Sequence, residues 1–191
     1  MQDFTSYAKQ PTQFDVLPAG GYIARIIDVD DRTWAGHSEP AHLIMMDIAE
    51  GEHAGIYKKN NATSDKDRWL SYWFAEPMAG SPEWLLSKVG GIQTSLAESN
   101  DKVNLADPHS WKGKCVGVVV GDEEAESNSG TVYTRPYVNY ICSVERIRKG
   151  EGQPGGYKIP KLKKLEPITP RPLSPADVPD SFSAAEDDIP F

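Results

Sequence analysis

The ten residues from Thr131 to Tyr140 read Thr-Val-Tyr-Thr-Arg-Pro-Tyr-Val-Asn-Tyr and carry the clearest strand pattern in the chain. β-Branched and aromatic residues favour strands, and successive side chains of a strand point to opposite faces. The alternation predicts a core-facing set formed by Val132, Val138 and Tyr140. The opposite set is aromatic, polar and cationic and consists of Tyr133, Arg135, Tyr137 and Asn139. The stretch therefore predicts a strand with one buried face and one face offered to a ligand.

Four stretches before this strand also have a strand pattern, namely residues 22–29, 41–49, 56–63 and 115–120. Turn signals separate the first three, which predicts a meander. The Val-rich fourth stretch predicts a strand covered on both faces, and the acidic residues 121–130 predict a hairpin loop after it. Between the third and fourth stretches, Ser81-Pro82-Glu83 predicts the start of a helix. Gly90-Gly91 is expected to end or break it, after which Ile92 and Leu96 could start a second short helix.

Three strands, a helical insertion and two more strands predict a mainly β fold, namely a five-stranded OB-fold-like barrel. We expect residues 15–148 to form this domain, after an N-terminal leader of residues 1–14. Gly and Pro become frequent beyond Arg148, which predicts a flexible linker over residues 149–180. Residues 181–191 are predicted to form an acidic tip. The linker and the tip together are expected to be a disordered C-terminal tail that follows the domain.

The composition excludes several classes of protein. No run approaches the roughly 18 apolar residues of a membrane-spanning helix, and the first residues lack a secretory pattern, so we expect a cytoplasmic protein without a membrane partner. Cys115 and Cys142 have strand-like apolar surroundings and are expected to be buried, unpaired hydrophobes. The four histidines match no zinc motif and have surface or turn-like contexts. No metal and no cofactor is therefore predicted.

The net charge of −8 is unevenly distributed along the chain. Residues 1–145 hold 12 Lys and Arg against 21 Asp and Glu, residues 146–173 hold 8 against 2, and residues 174–191 hold none against 5. Because phosphate neutralisation supplies most non-specific affinity, an acidic domain is not typical of a duplex-DNA binder. Any nucleic-acid site must be local. The basic segment has two open interpretations, as a phosphate contact or as an intramolecular partner of the acidic tail.

A local site for single-stranded DNA needs rings that stack on bases and cations that contact phosphates. The exposed set of the strand at 131–140 supplies both, and two further candidates share one face of the predicted third strand. Other candidates lie in or near loops or just before the fourth strand. The candidate nucleic-acid-binding residues are Trp34, Tyr57, Lys59, Trp69, Lys112, Lys114, Tyr133, Arg135 and Tyr137.

Packing in the core is the alternative role for every aromatic ring in this set. For Tyr133 and Tyr137 the sequence supports packing and binding equally. For Trp73, Trp84 and Trp111 it favours packing.

The chain ends in Glu-Asp-Asp-Ile-Pro-Phe at residues 186–191. Three consecutive carboxylates are too costly to bury together and the apolar trio is too short to fold, so we expect this segment to bind another protein. The terminal ring and carboxylate suit a hydrophobic pocket rimmed by Arg or Lys. A tail kept for solubility is the alternative. The predicted partner-binding residues are Asp187, Asp188, Ile189, Pro190 and Phe191.

Two resemblances to known families accompany these motifs. The tip resembles the one that ends bacterial single-stranded DNA-binding proteins, which implies recruitment of replication, recombination and repair enzymes. Residues 15–148 resemble a family of phage-encoded single-strand-binding-like proteins. The matching motifs are Leu-Pro-Ala-Gly-Gly-Tyr at 17–22, Glu-Gly-Glu-His-Ala-Gly at 50–55 with Tyr-Lys-Lys at 57–59, and Gly-Lys at 113–114. This resemblance implies a protein that binds and protects single-stranded DNA during phage DNA replication or recombination in a bacterial host.

An enzyme and a protein adaptor are the rival classes. The sequence has no Walker-type loop, His/Cys cluster or Ser-His-Asp pattern. Asp28, Asp30 and Asp31 form an acidic cluster at a strand end without the partners of a known nuclease pattern, and we interpret it as a solvated turn. No catalytic residue is therefore predicted. An adaptor or decoy that captures host replication or repair proteins through the tip, without binding DNA, would also suit the acidic domain. The sequence leaves the oligomeric state open, including a dimer or larger homo-oligomer.

Overall fold

The computed structural model describes residues 15–33, 40–64, 67–127 and 129–165. Five antiparallel strands dominate them, which confirms the predicted mainly β class: β1 (Gly20–Arg32), β2 (Ala41–Ile48), β3 (Leu70–Ala75), β4 (Cys115–Glu126) and β5 (Val132–Cys142). The helices are α1 (Ile56–Asn61), α2 (Glu83–Ser99) and α3 (Val144–Lys149), with a 3-10 helix at Pro108–Trp111. Within the described ranges, none of the helices is long and apolar enough to span a bilayer.

The strands lie in the order β3-β2-β1-β4-β5, so β3 and β5 are the two edges of one sheet. Every neighbouring pair is antiparallel. The two edges approach each other, but no ladder of hydrogen bonds joins them in the described part of the chain. The sheet is therefore not closed into a barrel, contrary to the sequence-based expectation.

Helix α2 packs against β3, β4 and β5 and contributes Leu85, Val89, Ile92 and Leu96 to the main hydrophobic core. The predicted stop at Gly90-Gly91 is wrong, because α2 continues to Ser99. Each glycine in a helix interior costs about 1 kcal/mol relative to Ala, whereas a fully buried apolar side chain contributes about 1.5–3 kcal/mol. Ile92 and Leu96, both buried beyond the glycines, outweigh that cost. Ser81 does not cap the helix, because its Oγ accepts a hydrogen bond from the Met78 N–H at 2.8 Å.

The predicted third strand at 56–63 is wrong, because this stretch begins with helix α1. The buried Asp47 carboxylate accepts hydrogen bonds from the N–H groups of Ile48 at 2.8 Å, Tyr57 at 3.1 Å and Lys58 at 3.1 Å. It thereby satisfies first-turn donors that an α-helix leaves without partners. Residues two apart on a helix do not face each other, so Tyr57 and Lys59 do not share a face. Strand β3 takes the third place in the meander.

Strand β4 runs to Glu126, so most of the predicted acidic loop at 121–130 is strand. A register shift between Val119 and Val120 places Tyr140 opposite Val119 and Tyr137 opposite Gly121. Because Val119 and Gly121 are two residues apart, Tyr140 shares a face with Tyr137, and its predicted core-facing position is wrong. Val138 is buried as predicted, whereas Val132 is 54% exposed, so its predicted core position is wrong.

The first part of the predicted linker packs against the sheet, and Lys163 pairs with Glu123 of β4 in a parallel bridge. The Lys163 N–H donates to the Asp122 carbonyl at 2.9 Å, and the Glu124 N–H donates to the Lys163 carbonyl at 2.9 Å. The Pro160 ring lies on Gly121 so closely that an added Cβ would be 2.4 Å from it. Contacts with the sheet therefore continue well beyond Arg148. Residues 1–14 and 166–191, which include the predicted leader and tip, lie outside the described residues.

Candidate nucleic-acid interface

An open groove of about 970 Å³ lies between the edge strands β3 and β5 and the side of α2, and we call it the β3–β5 groove. It occupies the gap that a closed barrel would fill with a β3–β5 ladder. Residues from α1, β3, α2 and β5 and from the segment after α3 line it. Its aromatic side chains are Tyr57, Trp69, Tyr72, Trp73, Trp84, Tyr133 and Tyr137.

Several of these rings face solvent. Trp73 and Tyr133 are each 45% exposed, and Trp84 is 61% exposed. The expectation that Trp73 and Trp84 pack in the interior is therefore wrong, whereas Trp111 is buried as expected. Large apolar groups clustered at one exposed place are a mark of a binding surface.

The groove is rich in cations although the chain as a whole has a net charge of −8. Its described lining holds four cationic side chains and one carboxylate, namely Arg68, Lys88, Arg135, Lys163 and Glu123. The Glu123 carboxylate lies 2.8 Å from the Arg135 guanidinium and 3.5 Å from the Lys163 ammonium. Both cations are more than half exposed, whereas Glu123 is largely covered. One carboxylate thus holds two accessible cations in place and leaves the cluster positive.

Cation–π contacts order rings on both sides of the groove. The Lys88 ammonium lies 4.4 Å from the centre of the Tyr72 ring and 4.6 Å from that of Trp73. Burial lowers the pKa of this Lys88 amine. On the opposite edge, the Lys163 ammonium lies 5.8 Å from the centre of the Tyr137 ring. Rings and cations therefore alternate across the groove.

Five of the nine candidate residues from the sequence line this groove: Tyr57, Trp69, Tyr133, Arg135 and Tyr137. Tyr57 also packs against the core, and burial raises the pKa of its hydroxyl well above the usual range. It lies on helix α1 rather than on a strand face.

The other candidates lie elsewhere. Lys59 contacts Asp15 at 3.2 Å and Lys112 contacts Asp28 at 3.2 Å, and neither of these residues nor Lys114 belongs to the described lining of the groove. Trp34 and the predicted tip residues 187–191 lie outside the described residues. The structure therefore separates the predicted interface into one groove and scattered surface lysines.

Three charged groups of the groove were not among the residues singled out from the sequence: Arg68, Lys88 and Glu123. The sequence contained a signal for Lys88. It follows Trp84 by four residues on a predicted helix, so the two side chains are expected to share one helix face. Lys163 belongs to the basic segment 146–173, for which a phosphate contact is one of the two interpretations from the sequence, but the composition of this segment did not predict that Lys163 lies in the groove.

A second polar cluster, at the end of the sheet, joins Asp31, His42 and His109. The prediction that the histidines have only surface or turn-like contexts is wrong for His42, which is buried. The interpretation of Asp28, Asp30 and Asp31 as a turn is also wrong, because all three belong to strand β1. Asp28 contacts Lys112 at 3.2 Å, Asp30 contacts Arg32 at 3.0 Å, and Asp31 contacts both histidines of the cluster.

No protein-family model matches this chain, and no curated protein is significantly similar to it. The assignment of function therefore depends on the geometry and charge of the groove.

Proposed function

We propose that the protein binds single-stranded DNA in the β3–β5 groove with little sequence preference. The observation that supports this most is the meeting of exposed rings and surplus cations at one place on an acidic protein. Every base has a face on which an aromatic ring can stack, so such a groove binds without reading sequence. A duplex keeps its bases stacked inside and leaves the rings without a partner.

The architecture supports an OB-like interpretation of the domain. A meander of β1, β2 and β3, a helix before β4, and a hairpin of β4 and β5 form a five-stranded sheet whose edges approach without pairing. OB folds are five-stranded, partly open barrels that hold oligonucleotides on a sheet face and adjoining loops. In this proposal the gap between the edges is the path of the strand.

Arg135 and Lys163 are the phosphate-binding cations in this proposal, and Glu123 is the carboxylate that pairs with both in the free protein. A phosphate near the two cations competes with the carboxylate for them. Glu123 therefore orients the cations in the free protein and lowers the affinity for DNA. Substitutions of Arg135 and of Glu123 are therefore expected to change the affinity for DNA in opposite directions.

We predict that Arg135→Ala weakens binding of labelled oligo(dT) and that Glu123→Gln strengthens it, as measured by fluorescence anisotropy over a range of salt concentrations. Loss of one phosphate contact should reduce the slope of log K against log salt by about 0.7 for a single strand. Arg25→Ala is the matched control, because Arg25 is exposed on β1 away from the groove. If Arg135→Ala lowers only the thermal midpoint and leaves affinity and slope unchanged, Arg135 is structural.

The acidic tip extends the proposal to recruitment of replication, recombination or repair proteins in the cytoplasm of a bacterial host. Deleting Phe191 should abolish capture of host repair proteins by the immobilised chain, because the terminal ring is lost and the terminal carboxylate moves to Pro190. Oligo(dT) affinity should stay unchanged or rise slightly. Phe182→Ala, which removes another ring of the same tail, should leave capture intact. Undiminished capture after the deletion would refute the role of the tip.

An adaptor that binds partners but no DNA is the second candidate function, and the acidic composition favours it. Tip-dependent capture without any oligo(dT) affinity would support the adaptor. Salt-sensitive oligo(dT) affinity supports the single-strand function.

A further inference from the structure

Four side chains from distant parts of the sequence meet at one end of the sheet. Asp31 belongs to β1, His42 to β2 and His109 to the 3-10 helix, and Glu76 directly follows β3. Asp31 Oδ1 lies 3.0 Å from His42 Nδ1 and 3.0 Å from His109 Nε2. One ligand atom from each of Asp31, His42 and His109 lies within 4.8 Å of the others.

Glu76 determines how the buried His42 ring presents its nitrogens. His42 Nε2 lies 2.6 Å from Glu76 Oε1, and an ionised carboxylate only accepts hydrogen bonds, so Nε2 is the donor. In the neutral ring the lone pair of Nδ1 then points at the Asp31 carboxylate. Two lone pairs facing each other at this distance repel, and a proton or a metal ion between Nδ1 and the carboxylate removes this repulsion.

We propose that Asp31, His42 and His109 bind a divalent metal ion of the Zn²⁺ type. Two imidazole nitrogens and one carboxylate are a common zinc ligand set, with the fourth position left for water. A metal-bound histidine usually donates its other N–H to a carboxylate, which fixes the ring, and Glu76 occupies that place. The two carboxylates, Asp31 and Glu76, balance the charge of the ion.

The surroundings suit entry of an ion from solvent and retention by the fold. The side chains of Asp31 and His109 are 70% and 52% exposed, which opens a path to the ion. The His42 ring packs against Phe74 with ring centres 5.2 Å apart, and Phe74 stacks on the buried Trp111. The ion would therefore tie the ends of β1 and β2 to the 3-10 helix that precedes β4, independently of the groove.

Zinc titration of the full chain, stripped of metal with a chelator, tests this site. We expect one Zn²⁺ per chain by calorimetry and a thermal midpoint that rises with zinc and falls again with chelator. Bound Co²⁺ should give visible absorption bands. His109→Ala should remove the Co²⁺ bands and at least about tenfold of the zinc affinity, and Glu76→Gln should lower the affinity about 10–100-fold.

Two further variants, His53→Ala and Asp31→Asn, serve as a negative control and as a second test of the ligands. His53→Ala removes a histidine outside the cluster and should leave zinc binding unchanged. His109→Ala carries the main test because its side chain is exposed, so folding does not depend on it as it does on the buried His42. Absence of saturable zinc binding, or affinity that is indifferent to both His109→Ala and Asp31→Asn, would overturn the proposal.

Discussion

Replacing Trp73 and Tyr133 together by Ala is expected to weaken oligo(dT) binding by at least about 30-fold, because each stacked base contributes ~1–3 kcal/mol. The two rings lie on opposite edges of the β3–β5 groove and are equally exposed. A strand that passes through the groove would stack on both. Fluorescence anisotropy of labelled oligo(dT) at low salt measures the loss directly.

Val132→Ala is the matched control for this double variant. Val132 neighbours Tyr133 on β5 and is even more exposed, but its side chain points to the other face of the strand. We expect its oligo(dT) affinity to equal that of the unmodified protein. If the double variant binds as tightly as the control, the strand does not pass through the groove.

Asp47→Ala is expected to destabilise the protein by about 3–5 kcal/mol, the largest effect that we predict on stability. The buried carboxylate accepts three backbone hydrogen bonds, and the substitution leaves the N–H groups of Ile48, Tyr57 and Lys58 without this partner. Hydrogen bonds to a charged group contribute about 1.5–3 kcal/mol each. Water that reaches α1 in the variant replaces part of the lost hydrogen bonding, which reduces the total loss. Urea unfolding followed by circular dichroism gives the free energy of unfolding.

Two substitutions calibrate this result. Asp47→Asn keeps one carbonyl oxygen as an acceptor and should cost clearly less than Asp47→Ala. Asp30→Ala removes an exposed partner of Arg32, and such surface ion pairs contribute only about 0–1 kcal/mol. A loss below about 1 kcal/mol for Asp47→Ala would show that α1 does not depend on this carboxylate.

Sequence periodicity predicted the strands whose side chains alternate within one short stretch. In β5, Tyr133, Arg135 and Tyr137 recur every second residue, and the structure places all three in the groove. The bulge near Asn139 ends this regularity, because it reverses the side of Tyr140, and no local signal marks it. Alternation therefore predicted the side-chain faces of β5 correctly only where its ladder with β4 is regular.

Features that depend on distant residues were not predictable in this way. The helix at 56–61 begins where it does because Asp47, at the end of β2, supplies the acceptor for its first turn. The open sheet and its order arise from pairings between strands far apart in sequence. The Asp31, His42 and His109 cluster has the same origin, since its members meet only when β1, β2 and the 3-10 helix converge.

The most direct test of single-strand binding is a titration of the full chain with unlabelled oligo(dT), followed through its tryptophan emission. Trp69, Trp73 and Trp84 line the groove, so bases that stack there should quench the emission. We predict a saturable quench at low salt whose midpoint moves to higher DNA concentration as salt is added, and a weaker quench by duplex DNA. Unchanged emission together with no mobility shift at low salt would contradict single-strand binding in the groove.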